Sequence, residues 1–411
     1  MQTELADFIK DTPEGREAEA ILRKCVHCGF CTATCPTYQL LGDELDGPRG
    51  RIYLIKQMLE GADVTSKTRL HLDRCLTCRN CESTCPSGVE YGKLIDIGRL
   101  VAERRVAEPR GDRERITRWA LRKGLTSPWF GTAMKLGQRV REILPEALRA
   151  KVPHAVAPPP WPAAAHGRCM LALGGCVQPA MSPSINASTA RVLDRLGIQL
   201  IEAPAAGCCG AVSHHLNDHD AGRDSARNNI DAWWPYVEQG VEALVMTASG
   251  CGVFVREYDH LLQHDAAYAE KARRIASMTF DVSEILAREK DGLQAILGDA
   301  RPGSAGRIAF HPPCTLQHGQ KIRGVTEALL LAAGFELVPV ADSHFCCGSA
   351  GTYSILQPEL SVRLRENKLA ALAEAAPEAI ASANIGCITH LQAGTGLPVR
   401  HWVELLDRRL S

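Results

Sequence analysis

Two short stretches of the sequence place eight cysteines at spacings typical of metal ligands. The first, CVHCGFCTATCP, runs from Cys25 to Pro36, and the second, CLTCRNCESTCP, runs from Cys75 to Pro86. Both follow the order CxxCxxCxxxCP, in which three thiolates bind one [4Fe-4S] cluster and the fourth, followed by proline, ligates another cluster. Two such stretches in one chain therefore exchange their fourth ligands.

This spacing predicts two [4Fe-4S] clusters, each held by both stretches. We assign the first cluster to Cys25, Cys28, Cys31 and Cys85, and the second to Cys75, Cys78, Cys81 and Cys35. Zinc is the alternative, but structural zinc closes at four ligands, usually from two CxxC pairs, and the three-plus-one arrangement does not match that pattern.

The composition of the whole chain agrees with metal or redox chemistry. Among 411 residues there are 17 cysteines, and residues 1–24 lack the apolar segment of a secretory signal. We therefore expect a reducing, cytoplasmic location, where clustered cysteines are ligands or redox groups rather than disulfides. No apolar run approaches the roughly 18 residues of a transmembrane helix. The 47 basic and 47 acidic residues cancel, which argues against a nucleic-acid partner.

The elements that carry these cysteines divide the chain into five parts. Residues 1–100 are expected to form a helical domain for the two clusters, and residues 101–150 a basic helical connector. Residues 151–168 are rich in proline and alanine and predict a linker. Residues 169–290 and 305–411 predict two copies of one unit, because their cysteines and apolar segments recur at matching intervals.

The duplication is clearest in the cysteines. The first copy has Cys176, Cys208, Cys209 and Cys251, and the second has Cys314, Cys346, Cys347 and Cys387. Each copy has the pattern strand, helix, strand, helix, strand, which implies right-handed crossovers and a small parallel sheet. The cysteines then lie near the carboxyl ends of the strands, where open parallel sheets bind ligands.

The basic connector contains tryptophans, in the segment RITRWALRKGLTSPWFGTAMKLGQRVREIL. Such a segment can lie on an anionic membrane surface. Alternatively its Leu and Trp side chains pack on the protein while its charges are solvated. The sequence leaves both interpretations open, and peripheral contact with a membrane is one of them.

The twin stretches, the GPRGRIYL sequence between them and the paired CCG motifs resemble a known family. They are similar to the iron-sulfur subunits of flavin-dependent 2-hydroxyacid and glycerol-phosphate dehydrogenases, and to subunits of heterodisulfide reductase. The similarity to glycolate oxidase iron-sulfur subunits extends over nearly the whole chain. The expected fold is α/β overall, with an α-helical ferredoxin-like two-cluster domain followed by two duplicated small parallel CCG units.

The resemblance implies an electron relay with no substrate chemistry of its own. FAD-containing subunits of the same complex would oxidise glycolate to glyoxylate, and this chain would pass the electrons toward a quinone or another respiratory acceptor. FAD is expected in the partner subunits and not in this chain, and the complex is expected in the cytoplasm or at the cytoplasmic face of the inner membrane. A relay for lactate or glycerol-3-phosphate dehydrogenase, and a catalytic subunit like that of heterodisulfide reductase, are the alternatives.

The full CCG unit of this family ends in a closing CxxC, which in heterodisulfide reductase completes a site for a further cluster. Here Phe254 stands in the last place of the first copy and His390 in the last place of the second. Four cysteines remain in each copy, which is enough for a third or fourth cluster or for zinc, and the alternative is a site of reduced thiols. The preferred candidate site is Cys314, Cys346, Cys347 and Cys387 with His390, and the second candidate is Cys176, Cys208, Cys209 and Cys251.

Overall fold

The computed structural model describes residues 1–145, 149, 152–298 and 301–410. Residues 146–148 and 150 of the predicted connector and Lys151 of the predicted linker lie outside the described residues. The chain divides into two compact units, Met1–Thr117 with His344–Lys368, and Arg118–Ser343 with Leu369–Ser411. No helix in the part of the chain that the structure describes is long and apolar enough to cross a membrane.

The first unit is helical. Its helices are Pro13–Lys24, Phe30–Ala33, Pro36–Leu41, Pro48–Leu59, Ser66–Asp73, Asn80–Thr84, Tyr91–Arg105 and Tyr353–Leu356, with a 3-10 turn at Glu44–Asp46. Two more helices, Asp112–Leu125 and Pro358–Ala373, begin in this unit and end in the second.

Local sequence signals explain where the principal helices of this unit begin and how they pack. Pro48 occupies the first turn of its helix, where its missing N–H costs nothing. The apolar face predicted for that helix is buried, including Ile52 and Ile55. Gly98 of the helix Tyr91–Arg105 packs against Ile55, since a Cβ at Gly98 would lie 2.6 Å from the Ile55 side chain.

The second unit contains two four-stranded parallel sheets. The strands are β1 (Arg168–Ala172), β2 (Ile198–Glu202), β3 (Leu244–Met246), β4 (Thr279–Asp281), β5 (Arg307–His311), β6 (Glu336–Leu337), β7 (Ala379–Ser382) and β8 (Val399–His401). The orders are β2-β1-β3-β4 and β6-β5-β7-β8, so the two sheets share one topology. The predicted α/β fold with duplicated parallel units is confirmed, and each sheet has one strand more than expected.

Helices follow the strands as the crossover topology requires. In this unit they are Phe130–Arg139, Gln178–Met181, Ser184–Arg195, Ala211–His215, His219–Glu238, Ser249–Arg256, Tyr258–Leu261, Ala269–Met278, Val282–Arg288, Lys290–Leu297, Val325–Ala332, Ile385–Gln392 and Trp402–Leu410, with a 3-10 turn at Arg141–Ile143 and a π-helical turn at Thr315–Gly319. Residues 153–166 have no regular secondary structure.

The two repeats contact each other through equivalent loops, which precede Cys251 and Cys387. The N–H of Ser249 donates to the carbonyl of Ala383 at 3.2 Å, and the N–H of Gly250 donates to the side chain of Asn384 at 3.3 Å. The fold therefore places the last cysteine of each copy beside the junction of the two sheets.

Candidate iron-sulfur centres

The two N-terminal cysteine stretches share one backbone conformation. His27 and Gly29 flank the second cysteine of the first stretch with φ of 56° and 85°. Thr77 and Arg79 hold the same positions in the second stretch with φ of 51° and 57°. Two left-handed residues around each second cysteine turn the chain sharply, which brings the first three cysteines of each stretch together. Three of the four residues are not glycine, so this conformation is imposed by the surrounding structure.

The first group of thiols combines both stretches. Burial raises the pKa of Cys31 to about 11, and nearby Cys25, Cys85 and Cys28 raise this pKa as well. All four side chains line one cavity, together with His27 and Arg49 among others. Cys85 belongs to the second stretch, so the fourth member of this group comes from the other loop.

The second group has the reciprocal composition. Burial raises the pKa of Cys81 well above its ordinary value, and Cys78, Cys75 and Cys35 add to the effect. Cys35 belongs to the first stretch. The structure thus places the eight predicted ligands in two groups of four, each with three cysteines from one loop and one from the other.

The residues of both groups fit clusters that carry positive iron. A thiol must lose its proton to ligate a metal, and crowded buried thiols lose it only when a cation offsets the repulsion between thiolates. In the first group, His27 lines the cavity and its Nε2 is buried without a hydrogen-bond partner among the described residues. A buried polar atom of this kind fits a site that receives an additional polar group.

The two groups differ in exposure. Cys28 of the first group is exposed, and the side chains of Val26 and Phe30 beside it are 68% and 61% exposed. In the second group Cys75 and Cys81 are buried, and Leu76 between the first two cysteines is buried as well. The first centre therefore reaches the protein surface, whereas the second is largely enclosed.

Several polar groups that contact the second centre were not predicted from the sequence. The Cys75 sulfur accepts hydrogen bonds from the Thr77 N–H at 3.4 Å and the Tyr91 hydroxyl at 3.7 Å. Arg99, which is buried, donates to the Cys75 carbonyl at 2.5 Å and to Thr77 Oγ1 at 2.9 Å. In the sequence, the burial of Arg99 is indicated only by its position in the mainly apolar segment IDIGRLVA.

The cysteine pair of the second repeat lies in the first unit. Cys346 and Cys347 are buried there, and the Gly348 N–H donates to the Cys346 sulfur at 3.4 Å. In the same unit, Asn80 donates to the carbonyls of Thr34 at 2.9 Å and His344 at 3.2 Å. The segment that carries this pair therefore packs directly on the second cysteine stretch.

The other candidate ligands of the second repeat belong to the second unit. Cys314, Cys387 and His390 are all buried there. A site formed by these three side chains with the cysteine pair stays a prediction from the sequence.

The structure brings the four cysteines of the first repeat together. The thiol of Cys176 donates to Cys208, which raises the pKa of Cys176 and lowers that of Cys208. A hydrogen bond from Cys209 to Cys208 and proximity to Cys251 raise the pKa of Cys209. This donor set could hold a metal ion or a cluster.

Asn229 holds the loop of that cysteine pair. Its side chain is fully buried, accepts from the Gly207 N–H at 2.8 Å and donates to the Cys208 carbonyl at 2.9 Å. Tyr258 donates to the Cys209 carbonyl at 2.7 Å and accepts from Asn229 at 3.1 Å. Both carbonyls of the pair are therefore fixed by buried side chains.

Phe254 fills the place of the absent closing cysteine. It is buried, and its ring lies 5.3 Å from His214 and 6.0 Å from Tyr258. These contacts are aromatic packing, which provides no ligand atom. The first repeat therefore offers four cysteine ligands and no fifth from this position.

Comparisons with known proteins agree with this architecture. Residues 21–89 match the 4Fe-4S dicluster domain, and residues 171–256 and 308–392 each match the cysteine-rich domain CCG. The first match supports two [4Fe-4S] clusters, and the second establishes the duplication independently of the fold.

Three relatives illustrate the range of similarity. The glycolate oxidase iron-sulfur subunit of Escherichia coli is 55% identical over 100% of both chains. The probable glycolate oxidase iron-sulfur subunit of Bacillus subtilis is 31% identical over 92% of this chain and 90% of the relative. Lactate utilization protein A of Bacillus licheniformis is 24% identical over 57% of this chain and 97% of the relative. Both cysteine stretches, both repeats and full-length similarity thus agree, and the chain belongs to the family of glycolate oxidase iron-sulfur subunits.

Proposed function

We propose that this chain relays electrons in a complex that oxidises glycolate to glyoxylate. An FAD-containing partner subunit performs the oxidation, and a quinone or another respiratory acceptor receives the electrons. The observation that carries the proposal is the exchange of the fourth cysteine between two otherwise equivalent loops, which is the arrangement of a two-cluster electron carrier. The name of the Escherichia coli relative supports glycolate as the substrate of the complex.

The chain's own residues hold and shield the two centres. Cys25, Cys28, Cys31 and Cys85 would bind one [4Fe-4S] cluster, and Cys75, Cys78, Cys81 and Cys35 the other. When bound, such clusters accept and release one electron at a time. Buried Leu76 and Tyr91 exclude water from the second centre, and the hydroxyl of Tyr91 donates to the Cys75 sulfur.

The exposed side of the first centre suits contact with the flavoprotein partner. Val26 and Phe30 expose apolar surface directly beside Cys28, the exposed member of the group. Apolar side chains next to an exposed redox centre favour docking of a protein. Burial of this edge by the partner would also shorten the path for the electron.

Contact with an anionic membrane is the second part of the proposal. In the second unit, the tryptophans Trp119 and Trp129 are 59% and 77% exposed, and Leu136 is 62% exposed. Lys123 and Lys135 are exposed close to them in the sequence. Most of the surface of these three side chains is exposed, which supports the proposal of contact with an anionic membrane. A membrane surface would bring the complex to a lipid-soluble quinone.

The cysteine groups of the repeats are candidates for a further cluster. The convergence of Cys176, Cys208, Cys209 and Cys251 supports a site in the first repeat. The site of the second repeat, with Cys314, Cys346, Cys347, Cys387 and His390, rests on the sequence pattern. Neither role is required for the relay through the first two centres.

Anaerobic co-purification with its partner subunits tests the proposed function. We expect about eight iron and eight sulfide per chain, or about twelve of each if one repeat site is filled. Glycolate should bleach the visible absorption of the complex, and lactate, the substrate named by more distant relatives, should not. Phe30→Glu should reduce co-purification of the flavoprotein without loss of iron. A chain that contains zinc and no iron would refute the proposal, and bleaching by lactate alone would reassign the substrate.

A further inference from the structure

Arg51 lies in the interior of the first unit beside the second centre. Its side chain is 1% exposed. It donates to the His71 carbonyl at 2.7 Å, to the Thr37 hydroxyl at 3.1 Å and to the Asp46 carboxylate at 3.4 Å. A fully buried arginine keeps its charge, so a permanent positive charge is present at this position.

A short chain of polar atoms links this charge to a ligand of the second centre. Thr37 Oγ1, which accepts from Arg51, lies 3.3 Å from the Cys35 sulfur. Burial lowers the pKa of Arg51, and electrostatic interaction with Tyr91, Cys75, Cys35 and Asp46 raises it, so that the net change in pKa is upward. The guanidinium is therefore close to sulfurs from both loops of this centre.

The carboxylate of Asp46 offsets part of the positive charge of Arg51. This carboxylate is buried and also accepts from Arg74 at 2.8 Å and lies 3.1 Å from His71 Nδ1. Arg99 is a further buried positive charge, and it donates to the carbonyl of the ligand Cys75. The buried arginines near this centre therefore outnumber the one buried carboxylate in the network.

We propose that Arg51 is a positioning residue that sets the reduction potential of the second cluster. The inference rests on the proposed function, because it requires a cluster at Cys35, Cys75, Cys78 and Cys81. Reduction adds a negative charge to an enclosed site, which is unfavourable in a medium of low dielectric constant. A buried guanidinium stabilises that charge, and only the Thr37 hydroxyl, which donates to the Asp46 carbonyl at 2.8 Å, lies between it and the Cys35 sulfur. Net charge and hydrogen bonds to sulfur are the quantities that adjust such potentials.

Potentiometric titration followed by electron paramagnetic resonance tests this role in the full-length chain. The signal of the second cluster is identified as the one that Cys78→Ser alters. In Arg51→Gln we expect the ratio of reduced to oxidised second cluster to fall at least tenfold at a fixed potential, which corresponds to about 59 mV for one electron. Arg51→Lys, which keeps the charge, should retain a value close to that of the original chain.

Asp46→Asn provides a test of opposite sign. This change removes a negative charge from the same buried network, so the second cluster should become easier to reduce. A purely structural role for Arg51 would not shift the two variants in opposite directions. If Arg51→Gln binds less iron, the Asp46→Asn titration still decides the question.

The control is Arg23→Gln, which removes one positive charge from an exposed pair with Glu19 in the same unit. It should leave both potentials unchanged. Normal iron content with unshifted potentials in Arg51→Gln and Asp46→Asn would overturn this inference and leave the relay intact. Absence of iron from the unmodified chain would instead contradict the proposed function.

Discussion

The ionisation of the N-terminal cysteines depends on the other thiols that lie beside them. The pKa of Cys31 and the pKa of Cys81 are each raised by burial and by three other thiols, one of which comes from the other loop. The four thiols of such a group lose their protons together when they bind a cation, because without the cation each thiolate is destabilised by burial and by repulsion from the neighbouring thiolates. Removal of one member therefore affects the cluster to which it contributes its sulfur.

Cys85→Ser tests the exchange of ligands at this scale. We expect loss or conversion of the cluster held by Cys25, Cys28 and Cys31, with iron falling from about eight to about four per chain. Electron paramagnetic resonance and iron analysis measure the outcome. Cys169→Ser is the matched control, because the Cys169 sulfur lies in strand β1 outside both groups. An unchanged first cluster in Cys85→Ser would contradict the exchange.

At the scale of elements, short loops are made rigid by buried side chains from longer helices. In the first repeat, the pair Cys208 and Cys209 has no regular structure, and Asn229 in the helix His219–Glu238 fixes it. Gly210 follows with φ of 98°, and a Cβ there would lie 2.7 Å from the Gly222 carbonyl of the same helix. The loop and the helix therefore approach too closely for any other residue at position 210.

Asn229→Ala should destabilise the second unit. Removal of its side chain leaves the partly buried Cys208 carbonyl and Gly207 N–H without this partner, and we expect the free energy of unfolding to fall by about 2 kcal/mol. Chemical denaturation followed by circular dichroism measures the change. Asn228→Ala is the adjacent control, because Asn228 donates to the Ala205 carbonyl at an exposed position. Equal effects of the two changes would exclude a special role for Asn229.

For the whole molecule, the proposed membrane contact is a property of a surface rather than of a site. The exposed tryptophans lie in a basic segment of a chain whose total formal charge is zero. Attraction to anionic lipid would therefore depend on local charge and decrease with added salt.

Flotation with vesicles tests this contact. The chain should bind vesicles that contain phosphatidylserine more strongly than vesicles of phosphatidylcholine alone. Replacement of Trp119 and Trp129 by glutamate should abolish binding while iron content stays normal. Trp234→Glu is the control, since Trp234 lies in the helix His219–Glu238 outside the basic segment. Equal binding by the Trp119 and Trp129 variant would refute the membrane contact.

The sequence predicts features that depend on local spacing and misses those that depend on packing. The cysteine motifs and the repeat are local patterns, and the parallel sheets follow from chain order. Strands β4 and β8 have three residues each, too few for an apolar pattern to be recognised. The buried charges of Asp46 and Arg99 look like ordinary helix-surface charges in the sequence, because only tertiary contacts bury them.

The two cysteine loops share a backbone but differ in what surrounds it. A Cβ at Gly29 would lie 2.7 Å from the Arg49 guanidinium, whereas the equivalent Arg79 carries a full side chain. Transfer of the second motif into the first place would preserve every sulfur, but the arginine side chain at this position would have to displace the flexible end of Arg49. The two motifs therefore share a cysteine spacing and are not interchangeable in their surroundings.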